Sequence, residues 1–393
     1  NLKALVDNNS SFGTLRLTHR PTTVTIRKTI MHLKIILFLL FATALSYTRA
    51  AESGRTLPRY AENFTIKRYD THTLLTVNSM PGGADRVHRY ALVPREASVP
   101  DLPSDLPVIR TPVERVVVME TVYIGYLAAL DQLESIVGAA TVDFITHPKV
   151  REAIEMDRIE SVQSGQRLDI ERLMLLRPDL ILTSISGDPA FDVPPKLIRS
   201  GLPIVITAGY TEPHPLARAE WIQFIAAFFE ASAQAETFFE DTAQRYEALR
   251  VQAKKLKNRP TVFGGAPYSG TWHVAGGASY IARVIEDAGG AYLWADDPSQ
   301  NAIPLDTERV FSKAAEADIW LHPSYYRSLG QLFGADSRFA KFGAAQTGQV
   351  YNNTRQVGEN GGNNIWERGV VRPDEVLADL IDIFHPALMP NHE

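Results

Sequence analysis

Two segments of this chain spell out the same unit. Leu168-Asp169-Ile170-Glu171-Arg172-Leu173 runs on to Pro178-Asp179-Leu180-Ile181-Leu182, and Leu305-Asp306-Thr307-Glu308-Arg309-Val310 runs on to Ala317-Asp318-Ile319-Trp320-Leu321. In each copy the first aspartate can cap a short helix, and the glutamate falls in the first turn, where a negative charge suits the unpaired amides. An apolar strand follows a few residues later. The two caps stand 137 positions apart, which predicts two similar α/β lobes of roughly domain size with a cleft between them.

The length of 393 residues and the 45% hydrophobic content suit two cores. Residues 1–30, rich in Thr, Asn and Arg, read as an untranslated or disordered extension. From Met31 a basic segment with Lys34 leads into an apolar run over residues 35–45. That run is shorter than the ~20 residues a membrane helix needs, and the small Thr48 and Ala50 suit cleavage after residue 50. Residues 31–50 are therefore read as a signal peptide and the product as periplasmic. The sequence contains no cysteine, so it offers no lipid-carrying cysteine, no disulfide framework and no thiolate metal site. The whole chain carries −5, and setting aside the +6 of residues 1–50 leaves −11, which argues against nucleic acid as a partner.

Residues 51–110 alternate apolar and polar in short runs around Pro81-Gly82-Gly83, a β-hairpin preamble. The continuous run Arg115-Val116-Val117-Val118-Met119, with helical spacing after it from Tyr123, opens an α/β lobe over residues 111–212. Residues 213–257 have the spacing of a long helix, with a break near residues 230–233. Unbroken, a helix of that length would reach ~60 Å, a stiff link between lobes. Residues 258–393 then repeat the order of elements as a second lobe.

With these pieces in place the chain resembles the class III periplasmic binding proteins of ABC importers, which serve ferric siderophores, haem and cobalamin. The resemblance covers residues 113–386. It rests on residues 115–130 with Ile136-Val137-Gly138, on the repeated unit, on Glu220-Trp221-Ile222-Gln223-Phe224-Ile225-Ala226, and on Trp366-Glu367-Arg368-Gly369-Val370-Val371-Arg372-Pro373-Asp374. It implies two Rossmann-like α/β lobes joined by one long rigid helix, acting as a monomer without a cofactor. It also implies an inner-membrane ABC permease dimer with its ATPase as partner, and a small metal chelate as ligand. One surface carboxylate per lobe docks on permease arginines in this family, and Glu171 and Glu308 occupy the matching positions. A carboxylate–guanidinium pair is planar and directional, so two such pairs set both tilt and position.

Open α/β sheets place ligands at the carboxyl ends of their strands. First-lobe candidates are Glu120, Thr121 and Tyr123 after the first strand, Asp143 after the second, Gln166 before the repeat, and Ser184. Second-lobe candidates are Tyr268, Trp272, Tyr280, Asn301 and Tyr325, and the loop with the aromatics Tyr268 and Trp272 suits a bulky, partly planar ligand. Glu120 stands where a small hydroxyl residue is usual, and it favours a cationic or metal-bearing ligand or accepts bonds from a ligand's hydroxyls. The candidate loops show no Arg cluster, which disfavours strongly anionic catecholates. Trp366 reads as a cap on the second lobe's core, and Arg368 as a partner for an acid. Direct Zn or Mn binding needs three or four converging ligands, and His147, His214, His273 and His322 are scattered. A periplasmic hydrolase using paired carboxylates such as Glu120 and Asp143 has no motif behind it: the chain lacks Gly-x-Ser-x-Gly and His-Glu-x-x-His.

Overall fold

A computed structural model of the chain describes residues 52–56, 58–78, 87–164, 167–185 and 195–392. The segments expected to be an extension and a signal peptide lie outside the described residues, as does Gln166.

Strands β1 (Glu52–Thr56), β2 (Phe64–Tyr69), β3 (Thr73–Val77) and β4 (His88–Pro94) pair antiparallel in sequence order, and β5 (Val108–Thr111) joins β4 in parallel. The stretch expected to be a hairpin preamble is thus a five-stranded sheet. Period-two alternation gives β2 and β3 one inner face, with Phe64, Ile66, Leu75 and Val77 buried, while residues 90–93 of β4 are buried on both faces.

The first parallel sheet is built from β6 (Val116–Val118), β7 (Ile136–Ala139) and β8 (Glu160–Ser161), with β11 (Leu180–Ser184) and β12 (Ile204–Thr207) after a small ribbon of β9 (Gln163–Ser164) and β10 (Arg167–Leu168). Its order is β12-β11-β6-β7-β8, every pairing parallel. The all-apolar run Val116–Val118 sits at the centre with all three residues buried, as a strand covered on both faces requires. Helix α1 (Val122–Ala129) follows β6, and α2 (Ile170–Leu176) precedes β11.

The helical segment between the sheets is two helices. α3 (Pro215–Ala226) runs into a 3-10 turn, Glu230 takes a left-handed φ of 57°, and α4 (Ser232–Ala253) starts afresh. The break falls where the gap in helical spacing predicts it, so no ~60 Å rod forms. The 22 residues of α4 span about 33 Å. Helix α4 packs against both α3 and the last helix.

Beyond it, β13 (Thr261–Gly264), β16 (Ala291–Tyr292), β18 (Ile319–Leu321) and β19 (Val350–Tyr351) form a second parallel sheet in the order β16-β13-β18-β19. An antiparallel sheet of β14 (Pro267–Tyr268), β15 (Thr271–Ala275) and β17 (Ala302–Asp306) lies in the same region. Helices α5 (Tyr280–Asp287), α6 (Thr307–Ala314), α7 (Arg368–Val371) and α8 (Pro373–Phe384) complete the principal elements.

The repeat in sequence is a repeat in structure. Asp169 accepts from the Arg172 amide at 2.9 Å and caps α2; Asp306 accepts from the Arg309 amide at 2.8 Å and caps α6. The second aspartate of each copy ties neighbouring strands together. Asp179 accepts from the Glu114 and Arg115 amides just before β6, at 3.0 and 3.1 Å, and Asp318 accepts from the Thr261 amide at the start of β13, at 2.7 Å.

Two buried acids join α3 and its approach to the N-terminal sheet. Glu220, 2% exposed, accepts from the backbone N–H groups of Arg59, Tyr60 and Ala61 at 2.6–2.8 Å. Glu212 accepts from the amides of Glu62 and Asn63 and from the Trp221 indole N–H. Residues 59–63 enter β2 without strand partners of their own, and these carboxylates satisfy their donors.

Candidate functional site

A cavity of about 290 Å³ opens at the carboxyl ends of β6, β11 and β12. Glu120 and Thr121 reach it from the turn after β6, Ser184 from the end of β11 and Thr207 from the end of β12. Tyr210 lines it from the segment that leads into α3, Arg218 from the first turn of α3 itself, and Trp366 and Val370 from the segment around α7. That last segment fits closely over α1 because residue 125 is glycine: a Cβ there would stand 2.1 Å from the Glu367 carbonyl oxygen. Glu367 itself, 2% exposed, accepts from the Thr146 amide at 2.7 Å and pins the same segment to the first lobe.

Glu120 is bonded asymmetrically. Its Oε1 accepts from the Ser184 amide at 3.1 Å and from the hydroxyls of Ser184 and Thr183, both at 3.2 Å. Its Oε2 is sealed from solvent and has no hydrogen-bond partner among the described residues. Burial pushes the Glu120 carboxyl up to about 7, and the bonds from Ser184 and Thr183 pull only part of the way back. A carboxyl in this setting is easily held uncharged.

Arg218 supplies the other charge on the cavity wall. Its Nε donates to the Glu212 carbonyl at 2.9 Å and its Nη2 to the Tyr210 carbonyl at 2.6 Å. The guanidinium carbon lies 4.3 Å from the centre of the Tyr280 ring. Burial lowers its pKa from the usual value, but an arginine remains protonated.

Of the residues singled out in sequence, Glu120, Thr121, Tyr123 and Ser184 come together on this cavity. Tyr123 is only 2% exposed and bonds to the Thr207 hydroxyl at 3.0 Å, so it forms wall and not contact surface. Tyr280 stands behind Arg218. Asp143 lies elsewhere, on a hollow shared with Thr146, Arg151 and Gln356. Tyr268 and Tyr325 are exposed and Asn301 sits in an exposed turn, and none of the three lines the cavity.

Trp272 requires a correction: it is 0% exposed and cannot touch a ligand. Its ring packs among Phe263, Trp320, Phe339 and Phe342, and its indole N–H donates to the Gly264 carbonyl at 3.0 Å. The flanking glycines mark a tight β14–β15 turn whose next side chain faces the core. Trp366 shows the reverse. Expected as a core cap, it is 49% exposed and lines the cavity, while its neighbour Arg368 pairs with Glu375 at 2.6 Å as expected of it. Arg218 and Tyr210 are site residues that the sequence pattern does not single out. The one available signal is an arginine inside the largely apolar, largely buried helix Pro215–Ala226.

His214 caps α3 by accepting from the Leu216 amide, and burial pushes both His214 and His322 down to about 4. Among the described residues no three His, Asp or Glu side chains converge as metal ligands do. No helix of the described residues is long and apolar enough to cross a membrane.

The chain is similar to an uncharacterized lipoprotein of Methanocaldococcus jannaschii, 25% identical over 355 residues, covering 84% of this chain and 81% of the relative. A second lipoprotein of that organism is 26% identical over 349 residues, covering 85% and 84%. This chain, unlike a protein lipidated on cysteine, contains none. Among solved structures, a periplasmic binding protein from Veillonella parvula superposes with a TM-score of 0.57 at 15% identity, covering 80% of this chain and 99% of that one. A periplasmic haem-binding protein from Roseiflexus sp. RS-1 gives 0.52 at 20%, covering 70% and 98%, and a Ni(II)-bound protein from Helicobacter pylori gives 0.55 at 15%, covering 72% and 88%. At these identities the likeness is one of fold: two-lobed, mixed α/β with parallel sheets. Residues 116–356 match the model described as periplasmic binding protein, and the chain belongs to that family.

Proposed function

We propose that this protein captures a ferric siderophore or related metal chelate and delivers it to an ABC permease with its ATPase in the inner membrane. The family is one of substrate-binding transport proteins, not of enzymes. The observation that carries the ligand reading is the cavity at the strand ends, where Glu120 and Arg218 meet the exposed faces of Tyr210 and Trp366. A cavity of about 290 Å³ lies at the lower end of pocket sizes that enclose a drug-sized ligand, so a bulky chelate inserts one part and leaves the rest outside. Solved relatives described as haem-binding and Ni(II)-bound support the class. Haem or cobalamin bound in the same way is the second reading, and the half-exposed Trp366 ring favours it because it offers a flat partner.

Residues 111–212 and 258–393 serve as the lobes and 213–257 as the link between them, with residues 31–50 directing export to the periplasm. Glu171 and Glu308 dock on the permease: both are exposed beside capped helix starts, and Glu308 pairs with Arg338 at 3.3 Å while 75% of its side chain stays exposed. The test is a titration of the protein with ferrichrome, a ferric catecholate, ferric citrate, haemin, cobalamin and zinc. Saturable binding of one chelate supports the proposal, and a response to zinc alone overturns it.

A further inference from the structure

Arg218 is a cation on the cavity wall without a countercharge. Among the described residues no carboxylate oxygen lies within the 4.0 Å of an ion pair. The acid that influences it most, Glu212, already accepts from two backbone amides and the Trp221 indole. Arginine has five N–H donors, and carbonyl oxygens take two of them here. Holding a partly buried guanidinium unpaired costs free energy, and a cavity beside it is where a ligand can offset that cost. Glu120 is the other charged side chain on the wall, and the groups that most influence it are Ser184, Thr183 and Tyr123, not Arg218.

We propose that Arg218 is the specificity-determining residue of this cavity, and that the chelate carried by the protein presents a carboxylate arm to its guanidinium. This inference rests on the chelate-binding reading and narrows its ligand class, replacing the expectation of a cationic ligand drawn from Glu120. Three features fit a carboxylate. The guanidinium fork matches a planar two-oxygen anion, the Tyr280 ring fixes the plane of the fork from behind, and the Tyr210 and Trp366 faces suit the carbon skeleton of an arm. Burial raises the Glu120 carboxyl and so weakens the one negative charge on this wall that would oppose an anion.

The test uses matched probes: haemin against its dimethyl ester, which keeps iron and ring but loses both carboxylates, and ferric citrate against neutral ferrichrome. Affinities are measured calorimetrically for the wild-type protein, Arg218→Gln and Arg218→Lys. The expected result is at least tenfold tighter binding of the acidic member of one pair by the wild type. Arg218→Gln should erase that preference, Arg218→Lys should keep part of it, and 0.5 M salt should narrow it in the wild type and in Arg218→Lys. Thermal unfolding of each variant checks that the fold is intact. Equal weakening of acid and ester in Arg218→Gln would mean that Arg218 only positions Tyr210 and Glu212, and overturns the inference. So would tight wild-type binding of ferrichrome with indifference to ferric citrate, an outcome that leaves chelate binding itself standing. Failure of the wild type to bind any of the four probes overturns this inference, and the chelate reading is then decided by the ferric catecholate and cobalamin of the wider panel.

Discussion

Glu120→Gln should stabilise the protein above neutral pH and leave its stability nearly unchanged in mild acid. Every donor that reaches Glu120 meets Oε1, which a glutamine carbonyl reproduces, and Oε2 accepts no bond that an amide nitrogen would forfeit. What the substitution removes is the charge. Burial raises the folded carboxyl from its ordinary 4.5 to about 7. Between those values the folded state keeps a proton that the unfolded chain has released, so wild-type stability falls as pH rises through the window. The full rise corresponds to ~3 kcal/mol. Urea unfolding of both proteins at pH 4.5, 6, 7 and 8 reads the difference directly. The curves should coincide at pH 4.5 and separate by about that amount at pH 8, the glutamine variant being the more stable. Parallel curves across the range, or a less stable variant at pH 8, would refute the reasoning, because a partner would then be stabilising the ionised form.

Glu220→Ala strips the acceptor from three backbone amides in one step and should cost ~3 kcal/mol in chemical denaturation; a loss below about 1 kcal/mol would show that water replaces it. Trp272→Ala opens the second lobe's aromatic core and should cost about 3–5 kcal/mol, whereas Trp366→Ala should change stability little and weaken ligand binding. The opposite pattern in paired melting and titration experiments would reverse their roles. Glu171→Arg or Glu308→Arg should spare ligand affinity and abolish uptake in vesicles carrying the permease, and loss of affinity instead would remove the docking assignment.

What is legible in the sequence divides by how local its cause is. The caps at Asp169 and Asp306 depend on a few consecutive residues, and the strand starts tied by Asp179 and Asp318 follow from the same short pattern, so the repeat is visible in the residues alone. The break in the linker is equally local, a gap in helical spacing that coincides with the left-handed Glu230. The cavity is not local. Arg218 on a helix reads like any solvated charge until Trp366, 148 positions later, is brought to the same wall by a glycine at residue 125. Trp272 fails in the other direction. Its glycine-rich surroundings resemble a binding loop, yet strand alternation between β14 and β15 turns its side chain inward, and a period of two cannot say which face of a short strand is covered.

Whether the cavity takes a chelate decides the function, and the most direct measurement is a tryptophan-fluorescence titration of the wild-type protein and Trp366→Ala against the chelate panel. One chelate should quench wild-type emission saturably at micromolar or lower concentration, with a weaker affinity and a smaller amplitude in the variant. Saturable binding that Trp366→Ala leaves untouched, or a response to free zinc alone, would contradict chelate capture at this cavity.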